Sequence, residues 1–243
     1  MDNDGIYWAV LMQRIGGRCA MAGAALLTAA SVAYGAIAFG HESVAVLPQV
    51  ALHGAWYWTA VHAAFVAGAL LWVPAFMGLN TSFSDVPARV LGHTGAVCLM
   101  LGVALYAINS FVSGTALTAL AEQWRALPNE RLVTAAAADT ILSMLRGTWI
   151  GVIVLFYGVP FVLMGVAVSR DARFPGMLRW LGVMGGIGAV LTGGLMLAVP
   201  NGVFTPLYQL FGAITALWMV GVGIVIKRPA DKILRAHETL QAA

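Results

Sequence analysis

Charge is what this sequence has least of. Asp, Glu, Lys and Arg together make up 9% of its 243 residues, where a soluble domain carries about 25%. That scarcity excludes an ordinary water-soluble globular domain. The basic excess is small, 13 Lys and Arg against 10 Asp and Glu, and scattered through short loops, so no nucleic-acid surface is expected. Cysteine is nearly absent: Cys19 and Cys98 are the only two, with no CxxC pair and no Cys/His cluster, which excludes a disulfide framework and a structural zinc site. The glycine pattern "GGIG" at 185–188 lacks the Lys-Ser that a phosphate loop needs. No serine stands in a G-x-S-x-G elbow. The first residues place acids before the apolar stretch and no small-residue cleavage site after it, which does not read as a removable signal peptide.

What is there is apolar: 60% hydrophobic residues and a mean hydropathy of +0.86. About 20 consecutive apolar residues span a bilayer core, and lipid leaves no partner for free backbone groups, so spans must be helices or a closed barrel. Long runs without ten-residue alternation choose helices. The expected fold class is all-α, a polytopic membrane bundle of six transmembrane helices forming a single domain over 1–243. The spans are expected at 17–40, 54–77, 90–112, 140–168, 177–198 and 204–226, punctuated by "LPQ", "GLNTSFSDVPAR", "SRDARFPG" and "VPNGVFTP". With the N-terminus inside, one face collects Arg14, Arg18, Arg89, Arg170, Arg173, Arg179, Lys227, Arg228, Lys232 and Arg235, and the other only Arg125 and Arg131. Ten against two predicts cytoplasmic N- and C-termini and a multi-pass protein of the cell inner (plasma) membrane.

Between spans three and four, residues 113–139 carry Leu117, Leu120, Trp124 and Leu127 at helical spacing, the pattern of a short helix lying on the outer interface. In span five, Gly182, Gly186, Ala189 and Gly193 form a stripe of small residues suited to close helix contact. Trp56, Tyr57 and Trp58 read as an interface belt, and Pro74 and Pro160 as kinks.

At 1.5 Å per residue, the polar side chains of the spans gather in one outer layer. Arg146 falls about 9 Å and His62 about 12 Å below the outer boundary on that rise, with Tyr34, Tyr106, Asn109, Tyr208 and Gln209 at similar depth. Asp139, Ser143 and Arg146 share a face of span four; Gly102, Tyr106 and Asn109 repeat that spacing on span three. The expected outcome is an outward-facing polar pocket for a small or amphiphilic ligand, its anionic group held by Arg146 and its hydrogen bonds completed by His62, Tyr106, Asn109, Tyr34, Tyr208, Gln209 and Ser143. The bland alternative for Arg146 is snorkelling to the headgroups or pairing with Asp139; for His62 it is an interhelical hydrogen bond. A second reading is a membrane-embedded enzyme on an isoprenoid or lipid, with Asp139 and His62 as acid and base and Arg146 on the polarised group. A third is a structural subunit whose polar stripes only lock helices. His62 and His93 sit at different depths and cannot flank one haem, and His41 and His53 have no further support; no cofactor and no metal are expected. The partners implied are the bilayer and the amphiphile, with no nucleic acid.

The stretches "QRIGGRCAMAGAALLTAA", "RFPGMLRWLGVMGGIGAVLTGGLML" and "LYQLFGAITALWMVGVGIVIK" resemble a bacterial six-helix integral membrane family of unknown function. The resemblance implies a six-helix inner-membrane protein and brings no activity or site residues.

Overall fold

Residues 3–38, 43–199 and 204–241 are described by a computed structural model. Helices α1 (Asn3–Ala38), α2 (Ser43–His53), α3 (Ala55–Asn80), α4 (Val86–Ala126), α5 (Arg131–Val152), α6 (Val159–Ser169), α7 (Gly176–Ala198) and α8 (Thr205–Gln241) account for nearly all of them, with no strand among the described residues. A π-helical turn, Ile153–Gly158, joins α5 to α6, so the two continue as one rod. Six segments are long and apolar enough to cross a membrane: Tyr7–Gly35, Ala55–Asn80, Val86–Ala126, Pro128–Ser169, Gly176–Ala198 and Thr205–Asp231. This is a polytopic helical bundle.

The breaks have local causes. Asp85 caps α4 by accepting the Ala88 N–H at 3.3 Å, with Pro87 in the first turn, where its missing N–H costs nothing. Gly54, at φ 89°, turns α2 into α3, a conformation side chains rarely adopt. Leu127-Pro128 ends α4.

The spanning helices form a closed circuit: α1 packs on α3, α3 on α4, α4 on α6, α6 on α7, α7 on α8 and α8 on α1. Glycines set the close approaches. The expected small-residue stripe of α7 faces the α5–α6 rod: an added methyl at Gly186 would lie 2.7 Å from the Gly158 carbonyl, and one at Gly193 would strike Ile153. Arg14 of α1 meets Asp231 of α8 at 3.0 Å, so both chain ends lie at one end of the bundle, together with the Asp85–Arg170 pair at 2.9 Å.

The opposite end is where the structure departs from expectation. Residues 113–126 do not form a separate interfacial helix; they continue α4, which runs for 41 residues, about 60 Å, or twice a bilayer core. The chain turns back over 127–130, and α5 descends beside it. The level at which this hairpin leaves the bundle can be read from contacts. Ile153 packs on Gly193, and α7 ends five residues later, about 8 Å. The same rise from Ile153 reaches Thr148, whose hydroxyl donates to Asn109 Oδ1 of α4 at 3.0 Å. Residues 110–126 and 131–147 therefore project about 25 Å past the ends of α7 and α8. Helix α2 packs along this hairpin, burying Val46, Leu47 and Val50 with Leu117, Ala121 and Ala138.

Candidate functional site

Where the hairpin leaves the bundle, five aromatic side chains from five segments meet in an unbroken chain. Tyr34 of α1 touches Phe65 of α3 with centroids 6.0 Å apart, Phe65 touches Tyr106 of α4 at 6.1 Å, Tyr106 touches Tyr157 of the π turn at 6.4 Å, and Tyr157 touches Tyr208 of α8 at 5.8 Å. Every contact is edge-to-face, with interplanar angles of 66°, 90°, 85° and 78°, the arrangement the ring quadrupole favours. The chain, called the collar below, runs from α1 across α3, α4 and the π turn to α8.

Beneath the collar the interior is full. Phe156, Phe161, Phe76 and Trp218 are 0% exposed and Trp72 1%. Trp149, Tyr106, Phe156 and Trp72 form a near-parallel column, with centroid steps of 6.0, 4.8 and 5.4 Å. The collar itself is different: Tyr34, Phe65, Tyr157 and Tyr208 are only partly buried. The Tyr208 hydroxyl is buried without a hydrogen-bond partner among the described residues.

The π turn brings the lower collar into place. Pro160 has no N–H to give the ladder and would crowd the carbonyl four residues back; the helix widens over Ile153–Gly158. Such turns recur at functional sites. Gly102 of α4 lies directly against its backbone, so that an added methyl would stand 2.5 Å from the Phe156 nitrogen and closer still to the Leu155 carbonyl.

His62 sits above the collar. It is 6% exposed, lies edge-on to Tyr34 at 6.0 Å and Phe65 at 6.2 Å, and rests against Gly114. Its Nδ1 approaches the Trp58 carbonyl at 2.9 Å. A carbonyl only accepts, so Nδ1 carries the hydrogen and Nε2 keeps its lone pair in the neutral ring. No described residue bonds Nε2. Asn109 adds a polar pair with Thr148 at the rim.

The residues singled out from sequence divide into two groups. Tyr34, His62, Tyr106 and Tyr208 belong to the collar or touch it, and Asn109 stands one turn above Tyr106. Arg146, Ser143 and Gln209 are exposed and take no part in a buried polar layer. Arg146 is corrected in depth as well: it lies two residues beyond Thr148, at the rim, because the rod continues past the ends of α7 and α8. It shares a face with Ile153, two turns away, which packs on α7. By helical phase Arg146 falls on the α7 side of the rod, and its side chain is exposed. Asp139 does not converge with His62. It follows Ala138 in the α2–hairpin core beside Leu117 and Ala121, one to two turns beyond Gly114, and one of its carboxylate oxygens is buried without a hydrogen bond. His41 lies outside the described residues, and His53 bonds the Gln49 carbonyl of its own helix. Among the described residues no group of His, Cys, Asp and Glu has metal-site geometry.

Sequence reasoning missed Phe65, Trp149, Thr148 and Tyr157, and it read Trp58 as part of an interface belt, whereas the structure buries that ring at 1% exposure. Of the four missed, only Tyr157 carried a signal, a phenol in the middle of an apolar run. No family model, no curated protein and no solved structure matches the chain.

Proposed function

We propose that this integral membrane protein binds an amphiphilic molecule at the aromatic collar. Its apolar part would lie on the exposed edges of Tyr34, Phe65, Tyr157 and Tyr208, and its polar end would turn toward His62 Nε2 and the Asn109–Thr148 pair. Arg146, at the rim, supplies the positive charge for an anionic group on that end. One observation carries the reading: four of the five collar aromatics, Tyr34, Phe65, Tyr157 and Tyr208, stay partly exposed while Tyr106 and the layer directly beneath are closed. Side chains that served only to lock helices would be buried like those below. Partly exposed apolar ring edges beside a few polar groups suit a lipophilic ligand with a polar end.

The basic residues give the orientation. Arg14, Arg18, Arg89, Arg170, Arg173, Arg179, Lys227 and Arg228 belong to the end that holds the chain termini, so that end is cytoplasmic and the collar opens outward from an inner (plasma) membrane.

The experiment is native mass spectrometry of protein extracted in mild detergent. Wild type should carry an adduct of lipid size, which Tyr157→Ala and Tyr208→Ala lose and His62→Phe weakens. An anionic adduct should also fall in Arg146→Gln. Wild type without an adduct, or an adduct kept through both tyrosine variants, would overturn the proposal.

A further inference from the structure

We infer that a second lipid site, for the phosphodiester of an anionic phospholipid, lies on the seam between α1 and α8 at the end holding the chain termini. At Gly17 the two helices touch backbone to backbone: an added methyl would lie 2.6 Å from the Gly223 carbonyl and 2.8 Å from the Lys227 Cβ. This approach stacks charged residues in two layers. In the outer layer Arg14 Nε meets Asp231 Oδ1 at 3.0 Å. The N–H is not aimed at the carboxylate, which makes this an ion pair without a hydrogen bond.

One helical turn deeper, about 6 Å toward the bilayer, Arg18 on α1 and Lys227 on α8 form the second layer. Arg18 lies on the face of Arg14 and directly follows Gly17. This layer has no carboxylate of its own. Lys227 reaches back to Asp231 at 3.7 Å, and Arg18 is exposed with no partner among the described residues. Asp231 thus pairs with two of the three seam cations, and Arg18 with no described residue.

The imbalance is local. Elsewhere at this end the loops supply the counter-groups: Arg170 pairs with Asp85 and Arg173 with Asp171, while Arg89 donates to the Ser84 carbonyl and Arg179 to the Phe174 carbonyl. Arg228, next to Lys227, is exposed as well, but the deeper seam layer is where cations from two helices, Arg18 and Lys227, come together one turn below Asp231. An unpaired guanidinium there is costly, and the anion present at that depth is a lipid phosphate. A guanidinium and an ammonium flanking a phosphodiester satisfy both sides with charge-assisted hydrogen bonds.

The test measures thermal unfolding of the full chain in mild detergent, titrated with phosphatidylglycerol, phosphatidylcholine or sn-glycerol phosphate. Phosphatidylglycerol should raise the wild-type midpoint and phosphatidylcholine should not. The phosphatidylglycerol needed for half of that rise should grow about fivefold in Arg18→Gln and in Lys227→Gln and stay unchanged in Arg228→Gln, an exposed cation at the same end that stands off the seam. Arg18→Gln removes no protein contact, so its fold is preserved. Equal rises with the two lipids would mean a charge-independent lipid effect, and equal loss in all three variants would mean bulk surface charge; either would sink the site. A rise with sn-glycerol phosphate alone would replace the lipid with a soluble phosphate and overturn the proposal as well.

Discussion

Gly102→Ala isolates the contact on which the collar depends. Gly102 of α4 faces the π turn that carries Phe156 and Tyr157, and its new methyl would stand 2.5 Å from the Phe156 nitrogen. Ordinary contact begins at 3.4 Å, so relieving the Phe156 nitrogen alone takes about 0.9 Å, and the nearer Leu155 carbonyl takes more. Neither side can yield by rotating a side chain, because both contacting atoms belong to backbone. Inserting a methylene into a packed interior costs about 1–3 kcal/mol, and a backbone obstacle places this substitution near the upper figure. The parting would also slide Phe156 against Tyr106 and Trp72, its neighbours in the column at 4.8 and 5.4 Å. Gly147→Ala is the paired control: nothing lies within 4 Å of its added methyl, and alanine is favoured over glycine in a helix by roughly 0.5–1 kcal/mol. Denaturant titration in mild detergent, followed by tryptophan fluorescence, should lower the midpoint for Gly102→Ala and leave it level or higher for Gly147→Ala. The reasoning fails if Gly102→Ala unfolds with wild type, or if the two variants lose the same stability.

Pro160→Ala should restore the missing N–H and draw the π turn toward regular α-helix. The change of register turns Tyr157 away from Tyr208, so the lipid-sized adduct should weaken in native mass spectra without loss of stability; an unchanged adduct would separate the collar from the π turn. In the loop between α6 and α7, the hydrogen bond from Arg173 holds the Asp171 carboxyl below its ordinary value of 3.8, against the opposing effect of burial. A carboxyl depressed in the folded state stabilises it above the unfolded value and loses that contribution as pH falls through the folded one. Stability should therefore decline below about pH 3.8, modestly, since Arg173 is half-exposed and screened. Asp171→Asn should flatten that part of the acid limb in a thermal-unfolding series, and an unaltered limb would assign the decline to other carboxyls.

The spans were legible because a bilayer leaves a helix few choices: twenty apolar residues must satisfy their own backbone, and Gly and Pro mark where they stop. Depth was harder to read. Composition cannot distinguish residues 110–126, which run past the ends of α7 and α8 while remaining helical and half apolar, from a helix that bends onto the interface, since both carry Leu117, Leu120 and Trp124 at the same spacing. The unbroken run of α4 through Ala126 separates the two, and the Asn109–Thr148 bond shows where α5 returns beside it. Arg146 was mislaid by the same cause. It shares the helical face of Ile153, which packs on α7, but α7 ends before reaching it and its side chain is exposed. Tyr34, His62, Tyr106 and Tyr208 were recoverable because polar or phenolic groups are scarce in apolar runs. Phe65 and Trp149 were not, because an aromatic in a span is ordinary, and only its partners distinguish a collar from a core. A membrane sequence therefore marks its sites best where it breaks the apolar rule. Where a site is built from apolar residues that keep the rule, partial exposure in the folded bundle is the property that sets them apart, and it arises only once neighbouring helices end at different heights.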